Sequence, residues 1–184
     1  MKPTVTCAIA IALCLGVAAP AAHAQDYGSE LPERLITVNP LGVLQFGPIV
    51  GMEFRALPAS YVGVHVRWAT AGLAYYAIAS EGFEYTVNAD NFAFGLNFRS
   101  LMGDNQSPHR WYAAPVLEYG FGTWSGGNLQ GNTSYVSILG NFGHRWNFGS
   151  SVLNVGAYAG VVQEFIEEET LAIGMLELSF GWPF

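Results

Sequence analysis

Apolar and polar residues alternate along most of this chain with a period of two, the spacing of a strand whose side chains point to opposite faces. Residues 48–56 set Val50, Met52 and Phe54 against Gly51, Glu53 and Arg55. Residues 60–68 set Val62, Val64, Val66 and Trp68 against Gly63, His65 and Arg67. Residues 91–99 set Phe92, Phe94, Leu96 and Phe98 against Ala93, Gly95, Asn97 and Arg99. Three further segments continue the pattern. Residues 111–122 oppose Leu117, Tyr119 and Phe121 to Glu118 and Gly120, with Trp111 opposing Tyr112. Residues 134–147 oppose Val136, Ile138, Phe142 and Trp146 to Ser137, Asn141, Gly143 and Arg145. Residues 150–164 oppose Leu153, Val155, Ala157, Ala159 and Val161 to Asn154, Gly156, Tyr158 and Gly160. A last segment, 171–184, carries Leu176, Leu178, Phe180, Trp182 and Phe184 on one face and Glu177, Ser179 and Gly181 on the other. Residues 35–46 form a less regular first strand, with a bulge or edge-like break expected at Pro40, which cannot donate to a ladder. The count is eight, and single-chain bacterial barrels have an even number of strands.

Composition decides which face is outside. The chain is 51% hydrophobic and only 11% charged, against about 25% charged in an ordinary soluble domain. Beyond residue 24 no stretch is apolar for the roughly 20 residues a membrane helix needs. An oily chain with no helix-length oily run predicts an all-β, eight-stranded antiparallel up-and-down transmembrane β-barrel, apolar side chains outward and small or charged ones in the lumen. The reversed phase would be a soluble, lipocalin-like barrel. It would leave a sparsely charged exterior and crowd too many Phe and Trp into a small interior. The 22 glycines suit a narrow lumen, and Trp68, Trp111, Trp146 and Trp182 suit interfacial girdles.

The links have the parity of such a barrel. Residues 55–60 and 147–150 are short, as periplasmic turns are, whereas 69–90 and 123–133 are longer outward loops. Two links fit less well: that near Gly47-Pro48 is tight for an outward loop, and residues 100–110 are long for a periplasmic turn. Residues 69–80 are apolar and either extend the third strand or pack over the mouth.

The start of the chain has the layout of a secretory signal peptide over residues 1–24: Lys2, an apolar run from Val5 to Ala19, and Ala22-His23-Ala24 before Gln25. An uncleaved anchor is the other reading of that run. Residues 25–34 would then be a periplasmic segment and 35–184 the barrel, one domain. Cys7 and Cys14 both fall in the signal, so the remainder has no disulfide or thiolate metal site. The only lysine goes with them. Six arginines then face fourteen carboxylates, a formal charge of −8, which argues against nucleic-acid binding.

At this point a resemblance is visible. Residues 35–184 resemble the small eight-stranded outer-membrane barrels grouped around the OmpA transmembrane domain and OmpX. Val38-Asn39-Pro40-Leu41-Gly42, Glu53-Phe54-Arg55 and Gly143-His144-Arg145-Trp146 are similar to the motifs of an uncharacterised outer-membrane barrel family, with His144 where that family has Tyr. The resemblance implies the bacterial outer membrane as location. Outer-membrane lipid, lipopolysaccharide and the barrel assembly machinery are the implied partners, Leu178, Phe180, Trp182 and Phe184 the assembly signal, and a monomer the implied state. It brings no activity and no catalytic residues.

Candidate chemistry lies on the polar phase. Glu53, Arg55, His65, Arg67, Arg99, Glu118, Arg145 and Glu177 should face the lumen, with His65, Arg67, Glu118 and Glu177 near mid-height. Ionised groups in a narrow, partly dry space are costly unless paired, so a salt-bridged plug is expected. A gate or proton-linked site is the alternative, with Arg67, Glu118 and Glu177 as the constriction of a narrow channel. Eight strands leave an interior just wide enough for side chains to fill. A lipid-modifying enzyme would pair a His with Ser, Asp or Glu near the headgroups. His65 lies mid-lumen instead, and His109 and His144 lie near the periplasmic rim, none beside Ser80, Ser125 or Ser134. No catalytic residue and no cofactor is therefore assigned. Glu164 and Glu167, Glu168 and Glu169 form the densest acidic cluster, a weak candidate for Ca²⁺ or Mg²⁺ and otherwise a solvated loop. The expectation is an outer-membrane barrel with a structural or surface-interaction role. A narrow uptake channel comes second and a lipid-modifying enzyme third.

Overall fold

The computed structural model describes residues 31–70, 87–104, 107–126, 129–165 and 170–184. Each of eight strands is hydrogen-bonded to the next and the last to the first, closing an antiparallel up-and-down barrel. The strands are β1 Arg34–Asn39, β2 Ile49–Leu57, β3 Ser60–Thr70, β4 Val87–Met102, β5 His109–Gly126, β6 Leu129–Asn147, β7 Val152–Glu164 and β8 Thr170–Pro183. The links at 58–59 and 148–151, with the strand ends at Met102 and His109, define one end, here the turn end; the opposite, loop end carries 40–48 and the strand ends at Thr70, Val87, Gly126, Leu129, Glu164 and Thr170.

The alternation reads directly onto the wall. One row of the ladder runs Gly51, His65, Gly95, Glu118, Ser137 around the inside. Its neighbour runs Met52, Val64, Leu96, Leu117, Ile138 around the outside. The outer members are exposed and Glu118 and Ser137 are buried, so the charged phase faces the lumen and the apolar phase faces outward.

The first strand departs from expectation. It ends at Asn39 rather than running to 46, and Pro40–Leu44 forms a 3-10 helix. Proline's fixed φ suits the first helical position, where its missing N–H costs nothing. The turn that follows is tight enough to require glycine twice. A Cβ on Gly42 would stand 1.9 Å from the Gly47 carbonyl oxygen, and Gly47 has φ 100°. Because β1 is short, it pairs with β8 only from Leu35↔Pro183 to Val38↔Phe180. Beyond that the Gln45 side chain takes a strand's place: its amide donates to Leu176 O (3.3 Å) and accepts from Leu176 N (2.7 Å).

Other boundaries shift less. β4 runs to Met102 and β5 starts at His109, which shortens the fourth link to 103–108. β3 extends through Thr70, and the rest of 69–80 lies outside the described residues, as do the signal peptide expected at 1–24 and most of the segment expected at 25–34. β6 continues past Tyr135↔Glu164, its last described pair with β7, and among the described residues Leu129–Thr133 is paired with β5 alone.

Residues 31–33 fold under the turn end. Leu31 joins Leu35, Tyr61, Leu101, Tyr112 and Val152 in an apolar floor. Tyr61 OH donates to Pro32 O (2.8 Å) and Arg55 Nη1 to Leu31 O (2.9 Å). Arg55, expected among the lumen charges, is therefore a rim residue. It sits beside a register irregularity of the β2–β3 ladder, next to the turn, where Glu33 (3.4 Å) rather than the lumen supplies its carboxylate.

Candidate functional site

The remaining seven predicted lumen charges are buried inside the barrel in two layers. The layer nearer the loop end is built on Glu118 of β5. Its Oε1 receives Arg67 Nη2 at 2.8 Å and lies 2.7 Å from His65 Nε2, while Ser137 Oγ donates to Oε2 at 3.1 Å. Arg67 Nη1 reaches Met175 Sδ at 2.9 Å. Small residues make the space: a Cβ on Gly95 would fall 2.2 Å from the His65 ring.

The layer nearer the turn end holds Glu53, Arg99, Arg145 and Glu177. Arg99 Nη2 donates to Glu177 Oε1 at 3.0 Å. Its Nε stands 3.0 Å from Glu53 Oε1, an ion pair outside hydrogen-bond alignment. Arg145 Nη2 donates to Glu53 Oε2, and its Nε to Asn154 Oδ1. Glu177 also accepts from Tyr112 OH (2.6 Å), Asn141 Nδ2 and Ser179 Oγ (2.8 Å). The Arg99 guanidinium lies 4.2 Å over the Tyr112 ring and that of Arg145 lies 4.9 Å over Tyr61, positions in which the ring faces attract the cations.

In an eight-stranded barrel, strands four apart in the order stand on opposite walls. Arg145 on β6 reaches Glu53 on β2, and Arg99 on β4 reaches Glu177 on β8. The lower layer is thus two ties across the lumen, joined where Arg99 also meets Glu53. The upper layer differs, since Arg67 and Glu118 stand only two strands apart. Glu177, expected at mid-height with Arg67 and Glu118, belongs to the lower layer. The three-residue constriction of Arg67, Glu118 and Glu177 is not assembled.

Three guanidinium groups balance three carboxylates, and each carboxylate is paired with at least two side chains. Such pairing offsets the desolvation of buried ions, while Arg99 Nη1 and Arg145 Nη1 remain without a hydrogen-bond partner. The neutral partners Tyr112, Ser137, Asn141, Asn154 and Ser179 all lie on the polar phase, but a search restricted to charged side chains passes over them. Arg110, also buried, lies at the turn end and donates from Nε to Ser107 O (3.3 Å).

The outer wall carries aromatic groups near both ends. Toward the loop end Trp68 stacks on Phe92, with centroids 6.0 Å apart, and donates from Nε1 to Asp90 Oδ1 (2.7 Å). Toward the turn end Trp111 stacks on Phe142, His144 lies against Trp111 and Trp146, and Phe180 stacks on Trp182. At the loop end Glu164 accepts from Thr133 Oγ1 (3.1 Å). Glu167, Glu168 and Glu169 lie outside the described residues.

The class defined by this geometry is the closed eight-stranded up-and-down barrel with a side-chain-filled lumen, the architecture of the OmpA transmembrane domain and OmpX kind. Among solved structures the chain is similar to that of Ail, the attachment invasion locus protein of Yersinia pestis. The two are 10% identical, the match covers 82% of this chain and 93% of that one, and the TM-score is 0.47. No family model matches the chain, and no curated protein matches it.

Proposed function

We propose that the protein is a bacterial outer-membrane barrel with a structural or surface-interaction role and no catalytic activity. The observation that carries this reading is the inverted wall. Val50, Phe94, Leu96, Leu117, Ile138 and Leu176 face outward, while Glu53, Arg67, Arg99, Glu118, Arg145 and Glu177 are buried inside. Water would drive the opposite arrangement, and hydrocarbon requires this one, because charges on the lipid face are destabilising there. The turn end then faces the periplasm and the loop end the exterior, and an amino-terminal signal peptide supplies the export route.

Two features support a non-conducting, non-catalytic role. The crossed ties and the Arg67–Glu118 pair fill the lumen with paired groups rather than lining an open path. His65, the one buried histidine among the described residues, engages a carboxylate, and Ser137 engages the same carboxylate rather than the histidine, so no base-activated hydroxyl is set up there. Surface interaction is supported by the β5–β6 hairpin, whose ladder runs out to Gly126↔Leu129 and presents exposed Asn132 at the loop end.

Absence of cysteine after residue 14 makes the test direct. Asn132→Cys should label with a membrane-impermeant maleimide in intact cells, and Ser150→Cys only after lysis. Reversed labelling would overturn the topology, and a protein in the soluble periplasm would overturn the membrane reading. The purified barrel should leave a planar bilayer silent; a steady current would replace the sealed lumen with the channel reading.

A further inference from the structure

We propose that His109 and His144 form an open two-histidine site for a divalent d-block metal ion, copper(II) binding most tightly, on the outer wall at the turn end. The two imidazoles stand on adjacent strands. His109 is opposite Trp146 and Trp111 is opposite His144, so the histidines occupy one diagonal of two neighbouring cross-strand pairs. Their ring centroids are 6.4 Å apart with an interplanar angle of 36°. Imidazole nitrogens bind such ions at about 2.0–2.1 Å, so two rings sharing one ion have centroids at most about 6.4 Å apart, and the exposed His109 must turn to aim a nitrogen at the ion.

The aromatic belt explains half of this patch. Trp111 meets His144 edge-on at 4.9 Å, and Trp146 lies 4.3 Å from it on the other side. Indoles at a membrane boundary are ordinary. They do not explain a second imidazole with its ring centroid 6.4 Å from that of His144, nor the state of His144 Nδ1, which is enclosed and has no hydrogen-bond partner. A buried ring nitrogen without a partner is costly, and an ion shared with His109 would satisfy it. The His109 backbone is anchored locally: its N–H donates to Ser107 Oγ (3.2 Å), which in turn donates to His109 O (2.8 Å).

The chemistry narrows the ion. Among the described residues no group of three or more His, Cys, Asp or Glu could hold a metal, so the protein supplies two nitrogens and water completes the coordination. Two imidazole nitrogens with no carboxylate disfavour Ca²⁺ and Mg²⁺, which take oxygen ligands. They suit Cu²⁺ above Ni²⁺ and Zn²⁺, following the usual order of affinities. The site rests on the geometry of the outer wall and not on the membrane reading.

The experiment uses the untagged protein folded in detergent micelles. Copper(II) quenches nearby indoles, and Trp111 and Trp146 both touch His144, so titration should give saturable quenching at one ion per barrel. Closed-shell Zn²⁺ should compete and restore the fluorescence. His109→Ala and His144→Ala should each weaken binding by at least about tenfold, the low end for losing a group that supports a metal. Gel mobility of each variant in detergent, unheated against boiled, confirms that it remains folded when its shift matches that of the unsubstituted protein. Quenching that persists unchanged in the double variant, or that Zn²⁺ cannot reverse, means an adventitious ion only and overturns the site.

Discussion

Replacing Glu177 by alanine tests the crossed ties most directly. The carboxylate is 2% exposed and Arg99 opposite it 5%, so solvent screens neither. Removing one partner of such a pair costs about 3–5 kcal/mol, because the other charge stays buried. Arg99 keeps Glu53 as a second counterion at 3.0 Å, which pulls the loss toward the lower bound. Against that, Tyr112, Asn141 and Ser179 each lose their acceptor on Glu177, at about 0.5–1.5 kcal/mol per hydrogen bond. The net expectation remains roughly 3–5 kcal/mol. Urea unfolding in phospholipid vesicles, followed by tryptophan fluorescence, measures it. A Glu177→Met/Arg99→Met double variant replaces both ends with apolar groups of similar length and should recover most of the loss. A Glu177→Ala protein that folds and loses less than about 1 kcal/mol, below the range for an uncompensated buried charge, would refute the argument. So would a double variant whose loss equals the sum of the singles.

Three further substitutions probe the wall. Gly95→Ala drives a Cβ to 2.2 Å from the His65 ring and should cost about 1–3 kcal/mol by overpacking, with most of the loss restored by adding His65→Ala. Val64→Arg places a charge on the outer wall, where Val64 is 45% exposed. It should cost about 2–4 kcal/mol in vesicles if that wall faces hydrocarbon near mid-depth, and a neutral result would contradict the outward-facing belt. Gln45→Ala removes both side-chain bonds to the Leu176 backbone. Amide exchange should accelerate at Leu176 while the β5–β6 ladder stays protected, and uniform protection would show that the seam does not depend on Gln45.

Much of this was legible because a barrel strand is a two-sided object. The alternation that sets Val64 against His65, or Leu117 against Glu118, survives folding unchanged, since one residue of slip would turn every side chain through the wall. Which inward charges meet is a different quantity. It depends on stagger around the barrel, accumulated over seven links, and counting up from each turn cannot supply it. Glu177 therefore falls to the layer of Arg99, below the level of Arg67 and Glu118 where counting placed it. Arg55 shares the inward phase of Glu53, yet it lies where β2 meets its turn and serves the floor. Pro40 signalled a break, but the Gln45 clasp is tertiary: its partner Leu176 lies 131 residues away. Nothing local marks it.

The short motifs that suggested a family now have a physical reading. Glu53-Phe54-Arg55 and Gly143-His144-Arg145-Trp146 lie 92 residues apart at their ionic contact, on opposite walls. Glu53 and Arg145 are the two ends of one tie, and Gly143 supplies the slot beside Tyr112, whose hydroxyl a Cβ there would meet at 2.4 Å. That hydroxyl binds Glu177, the end of the other tie. A wall of hydrogen-bonded strands resists stretching along its ladder but can flatten at little cost in backbone bonds. A single diametral tie fixes one axis of the cross-section and leaves the perpendicular axis to vary. Two crossed ties fix both, and the shared contact of Arg99 with Glu53 couples them. The charged residues on the lumen face are therefore sufficient to define the barrel's cross-section, which gives them a structural reason to be charged that requires no transported solute.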